Sequence, residues 1–119
     1  MTKDINVGSA VVPMKATAAV PRLYRIKFRR DIMQDMQKLQ DSAKKVNESG
    51  EDFQIADLEI FENVSYIMAK HADSSVPGSV EEWLDRFEVF DIYSALPQII
   101  ELWGFNMATT SESKKKAGR

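Results

Sequence analysis

Between Asp31 and Ala72 the apolar residues recur at steps of three and four. That period belongs to helices, so this stretch must fold as amphipathic helices that bury a stripe each. The first stripe is Ile32, Met33, Met36, Leu39, Ala43 and Val46. Asp31 fits its N-cap, and Asn47 to Gly50 end it, with Gly50 suited to a left-handed turn. Asp52 is positioned to cap a second helix, whose stripe is Leu58, Phe61, Val64, Met68 and Ala72. Ile60 and Ile67 widen that stripe, which predicts a helix packed on more than one side.

Two further helices are expected. Val76-Pro77-Gly78 marks a loop, after which Ser79 and Glu82 have capping-box spacing ahead of Val80, Trp83, Leu84 and Phe87. A last helix is expected over roughly Ile92 to Asn106. Pro97 cannot lie deep inside it, so the helix either begins near Ser94 or kinks. Upstream, Tyr24, Ile26 and Phe28 alternate with Arg25, Lys27 and Arg29, a period of two that predicts a short strand with one apolar and one basic face. A lone strand needs a partner, either the preceding segment or another subunit. The expected fold class is mainly α: a small single domain of about four helices with a short N-terminal β-strand or hairpin. Residues 1–21, punctuated by Pro13 and Pro21, read as a flexible arm, 22–107 as the helical domain, and 108–119 as a disordered basic tail.

Composition narrows the chemistry. In 119 residues, 44% of them hydrophobic, there is material for one core. The absence of cysteine excludes disulfides, a thiol nucleophile and Cys-based zinc sites. A net charge of −2 gives no overall bias toward nucleic acid or anionic membrane. The N-terminus has neither signal-peptide nor anchor character, and no run approaches the ~20 apolar residues that span a bilayer.

Candidate catalytic groups are sparse. His71 is the only histidine; Asp73, two residues on, does not face it on a helix, so it reads as a helix-end histidine near the C-terminal dipole. Glu81, Glu82, Asp85, Glu88 and Asp91 form a carboxylate cluster without an ion-binding loop pattern, and read as the solvated face opposite Trp83 and Phe87. The glycines are scattered, so no phosphate-cradling loop exists. Neither a catalytic site nor a cofactor is expected. Arg22, Arg25, Lys27, Arg29 and Arg30 interleave with Tyr24 and Phe28, which makes a small nucleic-acid-binding regulator acting through Arg22–Arg30 the alternative function. On a strand, however, the alternation parts aromatics from cations, and a stacking groove wants them together. The basic run and the acidic excess from Glu81 to Glu101 would either neutralise each other within one subunit or draw subunits together head to tail.

Aromatic and aliphatic residues crowd the last quarter of the chain, more than one core face is expected to take. The candidate partner or oligomer contacts are therefore Tyr24, Ile26 and Phe28 with Phe90, Ile92, Ile99, Leu102 and Trp103.

The run Tyr24-Arg25-Ile26-Lys27-Phe28, then Val64-Ser65-Tyr66-Ile67-Met68-Ala69-Lys70, then Ser79-Val80-Glu81-Glu82-Trp83-Leu84-Asp85-Arg86-Phe87, then Ile99-Ile100-Glu101-Leu102-Trp103 resembles the tail assembly chaperones of long-tailed (siphovirus-type) phages and prophages of Gram-positive bacteria. The resemblance spans roughly Tyr24 to Lys116 and lies in the order and spacing of the pieces. It implies a non-enzymatic, mostly helical protein of the host cytoplasm, absent from the mature virion. Its implied partner is the tape measure protein, with self-association into higher multimers. Many members also have a longer form made by programmed frameshifting, a further implied partner; Lys114-Lys115-Lys116 sits where A-rich slippery codons are expected. The segment Met1 to Val20 departs from the family's shorter starts, and the resemblance assigns it no role.

Overall fold

A computed structural model describes residues 2–50 and 53–103. Its elements run β1 (Thr2–Val7), β2 (Ala10–Lys15), α1 (Val20–Phe28), α2 (Ile32–Ser49), α3 (Ile55–Ala72), α4 (Val80–Leu84) and α5 (Val89–Ser94), and residues 96–103 are again helical. The chain is thus mainly helical, with one short antiparallel hairpin at its N-terminal end. Among the described residues no helix is long and apolar enough to cross a membrane.

α3 is the centre of the molecule. Ile60, Phe61, Val64, Tyr66, Ile67, Met68 and Ala69 are all buried, so its apolar surface is covered from several directions, as the widened stripe predicts. β2, α1, α2 and α4 all pack against it. Asp52 lies outside the described residues. The N-cap of α3 is Gln54, in a reciprocal capping box in which the Asp57 carboxylate accepts from the Gln54 N–H at 3.2 Å.

The other caps follow the side-chain chemistry. Asp31 Oδ1 accepts from the Met33 N–H at 2.9 Å and opens α2. Gly50 closes α2 at φ 75°, where its N–H reaches the Val46 carbonyl. Ser79 Oγ accepts from the Glu82 N–H at 3.2 Å and opens α4. From the first stripe, Met33 departs: it faces solvent, whereas Ile32, Met36 and Leu39 are buried.

Two expectations are overturned. Residues 24–28 are not a strand; they are the second half of α1. Pro21 is suited to a helix start, because its missing N–H would be unpaired there anyway. Val20, Tyr24 and Phe28 stand one turn apart, and Val20 and Tyr24 are buried. Five alternating residues fit a strand, but four-residue spacing over the longer segment fits a helix, and burial decides between them. Arg29 closes α1 in the left-handed region at φ 59°.

Residues 1–21 are likewise no loose arm where they are described. β1 and β2 pair around the two-residue turn Gly8-Ser9, with Ile5 opposite Val12 and Val7 opposite Ala10. Gly8 sits at φ +62°, a left-handed conformation that favours glycine, and a Cβ there would force the Asp91 carboxylate of α5 aside. Ile5, Val7 and Met14 are buried in the main core. Pro13, which has no N–H, pairs with Asp4. That position is therefore not hydrogen-bonded, and by alternation Asn6 turns its backbone groups outward. The Gln98 carboxamide takes both: its Oε1 accepts from the Asn6 N–H and its Nε2 donates to the Asn6 carbonyl, each at 3.0 Å. A side chain thus covers part of the free edge of β1.

The last helix is interrupted just ahead of Pro97, in line with the expected start near Ser94 or kink. α5 ends at Ser94, Ala95 forms a turn, and residues 96–103 form a second helical segment. Pro97 falls in the first turn of that segment, where its lack of an N–H costs nothing. The part of the expected helix beyond Trp103 and the basic tail from 108 lie outside the described residues.

Candidate functional site

The eight candidate contact residues separate into core and surface. Ile92, Ile99, Leu102 and Trp103 are buried, with Leu96 and Ala95 beside them, so they hold the subunit together rather than face outward. The hairpin is the reason. β1 runs beside this segment, tied to it by the Asn6–Gln98 pair and by Lys3 Nζ to Glu101 at 4.0 Å, and it covers a face that had looked surplus. Tyr24 is also buried. Its O–H donates to Asp35 Oδ2 at 2.7 Å, and Arg30 Nε and Nη2 donate to the two oxygens of the same carboxylate, each at 2.7 Å. Phe28 is half-buried against Tyr24, with ring centroids 5.1 Å apart. Only Ile26 and Phe90 are strongly exposed, at 60% and 87%.

An open cleft of about 610 Å³ is bounded by α1, α3, α4 and α5. Phe28, Leu58, Val80, Leu84 and Tyr93 supply its apolar lining, and Lys27, Glu59, Glu62, Asn63, Ser79 and Glu81 supply a polar lining of similar extent. Ile55 stands at its mouth, 84% exposed. Tyr93 donates its O–H to Glu62 Oε2 and packs on Phe61, which fixes the wall formed by α5. That hydrogen bond to a carboxylate, helped by burial, pushes the Tyr93 hydroxyl up to about 12. The opposite wall is α4, five residues long and anchored by Trp83 between Tyr66 and Phe87 at centroid distances of 5.9 and 5.2 Å. The residues that shape this cleft, Ile55, Leu58, Val80 and Leu84, were not singled out as contacts from the sequence.

The polar groups are accounted for locally. His71 Nε2 lies 2.9 Å from Thr17 Oγ1, which fastens the end of α3 to the segment between β2 and α1. Burial first, and then the charge of Lys15, holds its pKa below the usual imidazole value. Glu81, Glu82, Asp85 and Glu88 are exposed on the side away from the buried Trp83. Among the described residues no group of three metal-ligating side chains stands together.

On α1, Arg22, Arg25 and Arg29 face solvent, whereas Tyr24 and Phe28 turn inward. Cations and aromatics are therefore parted on a helix as they would be on a strand. Lys27 donates to the Gly78 carbonyl at 3.0 Å and lies 5.5 Å from the Tyr66 ring centroid. Among the described residues the ion pairs are Lys3–Glu101 and Arg30–Asp35, and neither joins the basic face of α1 to the carboxylates of Glu81–Glu88. The two patches do not neutralise each other inside the subunit by direct pairing.

No protein-family model matches this sequence, and neither the curated proteins nor the solved structures contain a match to it.

Proposed function

We propose that the protein is a tail assembly chaperone of a long-tailed phage or prophage, which holds the tape measure protein in the host cytoplasm during tail morphogenesis and is left out of the virion. The order and spacing of the sequence pieces support this reading, and the observation that carries it is the open cleft between α1, α3, α4 and α5, whose lining is half apolar. A tape measure is a long helical protein whose apolar seams are exposed until the tail tube surrounds it. An open cleft lined by both apolar and charged side chains takes one side of an amphipathic helix without demanding a specific side chain. The segment 96–103 no longer serves as the displayed face, because its large residues are in the core.

The test is capture of the tape measure protein by the tagged full chain on co-expression. Ile55→Asp places a charge at the cleft mouth without touching the core, and is expected to weaken capture about tenfold or more, ~1.4 kcal/mol, at an unchanged melting temperature. Capture unaffected by Ile55→Asp, or the protein itself recovered in purified particles, would count against the proposal. Binding to single-stranded nucleic acid that falls steeply with salt would favour the regulator reading instead.

A further inference from the structure

The cleft between α1, α3, α4 and α5 is not electrically neutral. Glu59 and Glu62 enter it from α3 and Glu81 from α4, and none of the three forms an ion pair among the described residues. Tyr93 donates to one oxygen of Glu62. Arg30, which shares a smaller pocket with Glu59, gives its guanidinium to both oxygens of Asp35 instead. Among the described residues the cation in the lining is Lys27, and its ammonium is already engaged. It donates to the Gly78 carbonyl at 3.0 Å and lies 5.5 Å from the Tyr66 ring centroid. The other basic residues of the α1 surface, Arg22, Arg25 and Arg29, are exposed and take no part in the lining. Three carboxylates thus stand against one ammonium.

The apolar half of the lining is in line with those carboxylates. Ile55, Leu58 and Glu62 follow one another at steps of three and four along α3, with Glu59 one turn on from Ile55. Val80 and Leu84 stand one turn apart on α4, with Glu81 beside Val80. Each wall therefore sets apolar groups in a row and a carboxylate next to them. A carboxylate beside apolar surface loses water when a partner covers that surface, and the loss weakens binding unless the partner brings a cation. A helix whose apolar stripe is bordered by Glu or Asp adds like-charge repulsion to the loss.

We propose that the cleft selects its occupant by charge: it takes an amphipathic helix whose apolar stripe is bordered by Lys or Arg, with the cations set against Glu59, Glu62 and Glu81. This rests on the reading of the protein as a chaperone of the tape measure, and it names the kind of segment of that client which is held. The aliphatic stripe covers Ile55 and Leu58, while the long basic side chains lie along the same surface and carry their charge to the carboxylates. Glu59 and Glu81 are exposed, so the ion pairs are screened by salt.

The test titrates the full chain with three synthetic helical peptides that share one Leu–Ile stripe and differ only in the bordering residues, which are Lys, Gln or Glu. Calorimetry at low and at high salt reads the affinities. At low salt the Lys peptide is expected to bind about tenfold tighter than the Gln peptide, as a few exposed ion pairs supply, and the Glu peptide to bind weakest. The gap should close as salt rises. Glu59→Lys combined with Glu81→Lys, both at exposed positions, is expected to melt as the wild type does and to prefer the Glu peptide. If that variant melts early, Glu59→Gln with Glu81→Gln serves in its place and is expected to bind the Lys and Gln peptides alike. Equal affinity for the three peptides, binding of none, a gap indifferent to salt, or variants that keep the wild-type preference would each overturn the proposal. The two readings fail separately. A wild type that captures the tape measure protein but shows no preference among the peptides sinks the charge selection alone. A wild type that prefers the Lys peptide but captures no tape measure protein sinks the client reading alone.

Discussion

Trp83→Ala will lower the stability of the protein by about 3–5 kcal/mol, the cost of emptying a large aromatic site in a core that cannot collapse around the space. Trp83 is 1% exposed, and its indole is held edge-on against Tyr66 and Phe87. It is also the only fully buried residue of α4. A five-residue helix has no stability of its own, since nucleating the first turn is unfavourable and too few bonds follow to repay it. The variant should therefore lose one wall of the cleft together with its stability. Thermal melting followed by circular dichroism measures the loss, and Phe90→Ala is the control: Phe90 is as large an aromatic side chain but lies outside the core, so its melting temperature should barely move.

Asp35→Ala is expected to cost about 2–3 kcal/mol, because it strands the buried Tyr24 hydroxyl and releases Arg30. One carboxylate in the first turn of α2 accepts three hydrogen bonds, two of them from Arg30 and one from Tyr24 on α1, so it fixes the angle between these helices. Tyr24→Phe removes only one donor and should cost about 1 kcal/mol. The pH dependence follows from the same geometry. Burial by itself would raise the Asp35 pKa above 3.8, but the hydrogen bonds from Arg30 and Tyr24, with the Arg30 charge, bring it below. A carboxyl with a lowered folded-state pKa contributes its stability above its unfolded value and loses it as pH falls through the folded one. Wild type should thus weaken relative to Asp35→Ala only as pH drops below about 4. Urea denaturation at neutral pH and at acid pH gives the comparison; a stability gap that stays constant with pH would contradict it.

How legible this was in the sequence depends on how local the deciding physics is. Asp31, Gly50 and Ser79 act on neighbours within four residues, so their capping roles could be read directly. The wide stripe of α3 announced a central helix for the same reason. The segment Tyr24–Phe28 was ambiguous because five residues satisfy both periods, and the fact that resolves it, the burial of Tyr24 against Asp35, is tertiary. The hairpin had a local signal, Gly8-Ser9 between the alternating pairs Ile5/Val7 and Val12/Met14, but two prolines and a small-residue composition hid it. That omission caused the larger error. Without a hairpin to cover them, Ile92, Ile99, Leu102 and Trp103 seemed to exceed the core and were assigned to partners, whereas Ile5, Val7 and Met14 belong to the same core. The cleft was hidden because it is a space between four helices, and no spacing along the chain reports on it.

Hydrogen exchange of the full chain, alone and with purified tape measure protein, tests the central claim most directly. If the cleft holds the client, exchange should slow in residues 55–63 and 79–84, which line it, while the α2 segment 36–46 is unaffected. Protection confined to 96–103, or none anywhere in the presence of bound client, would contradict the account.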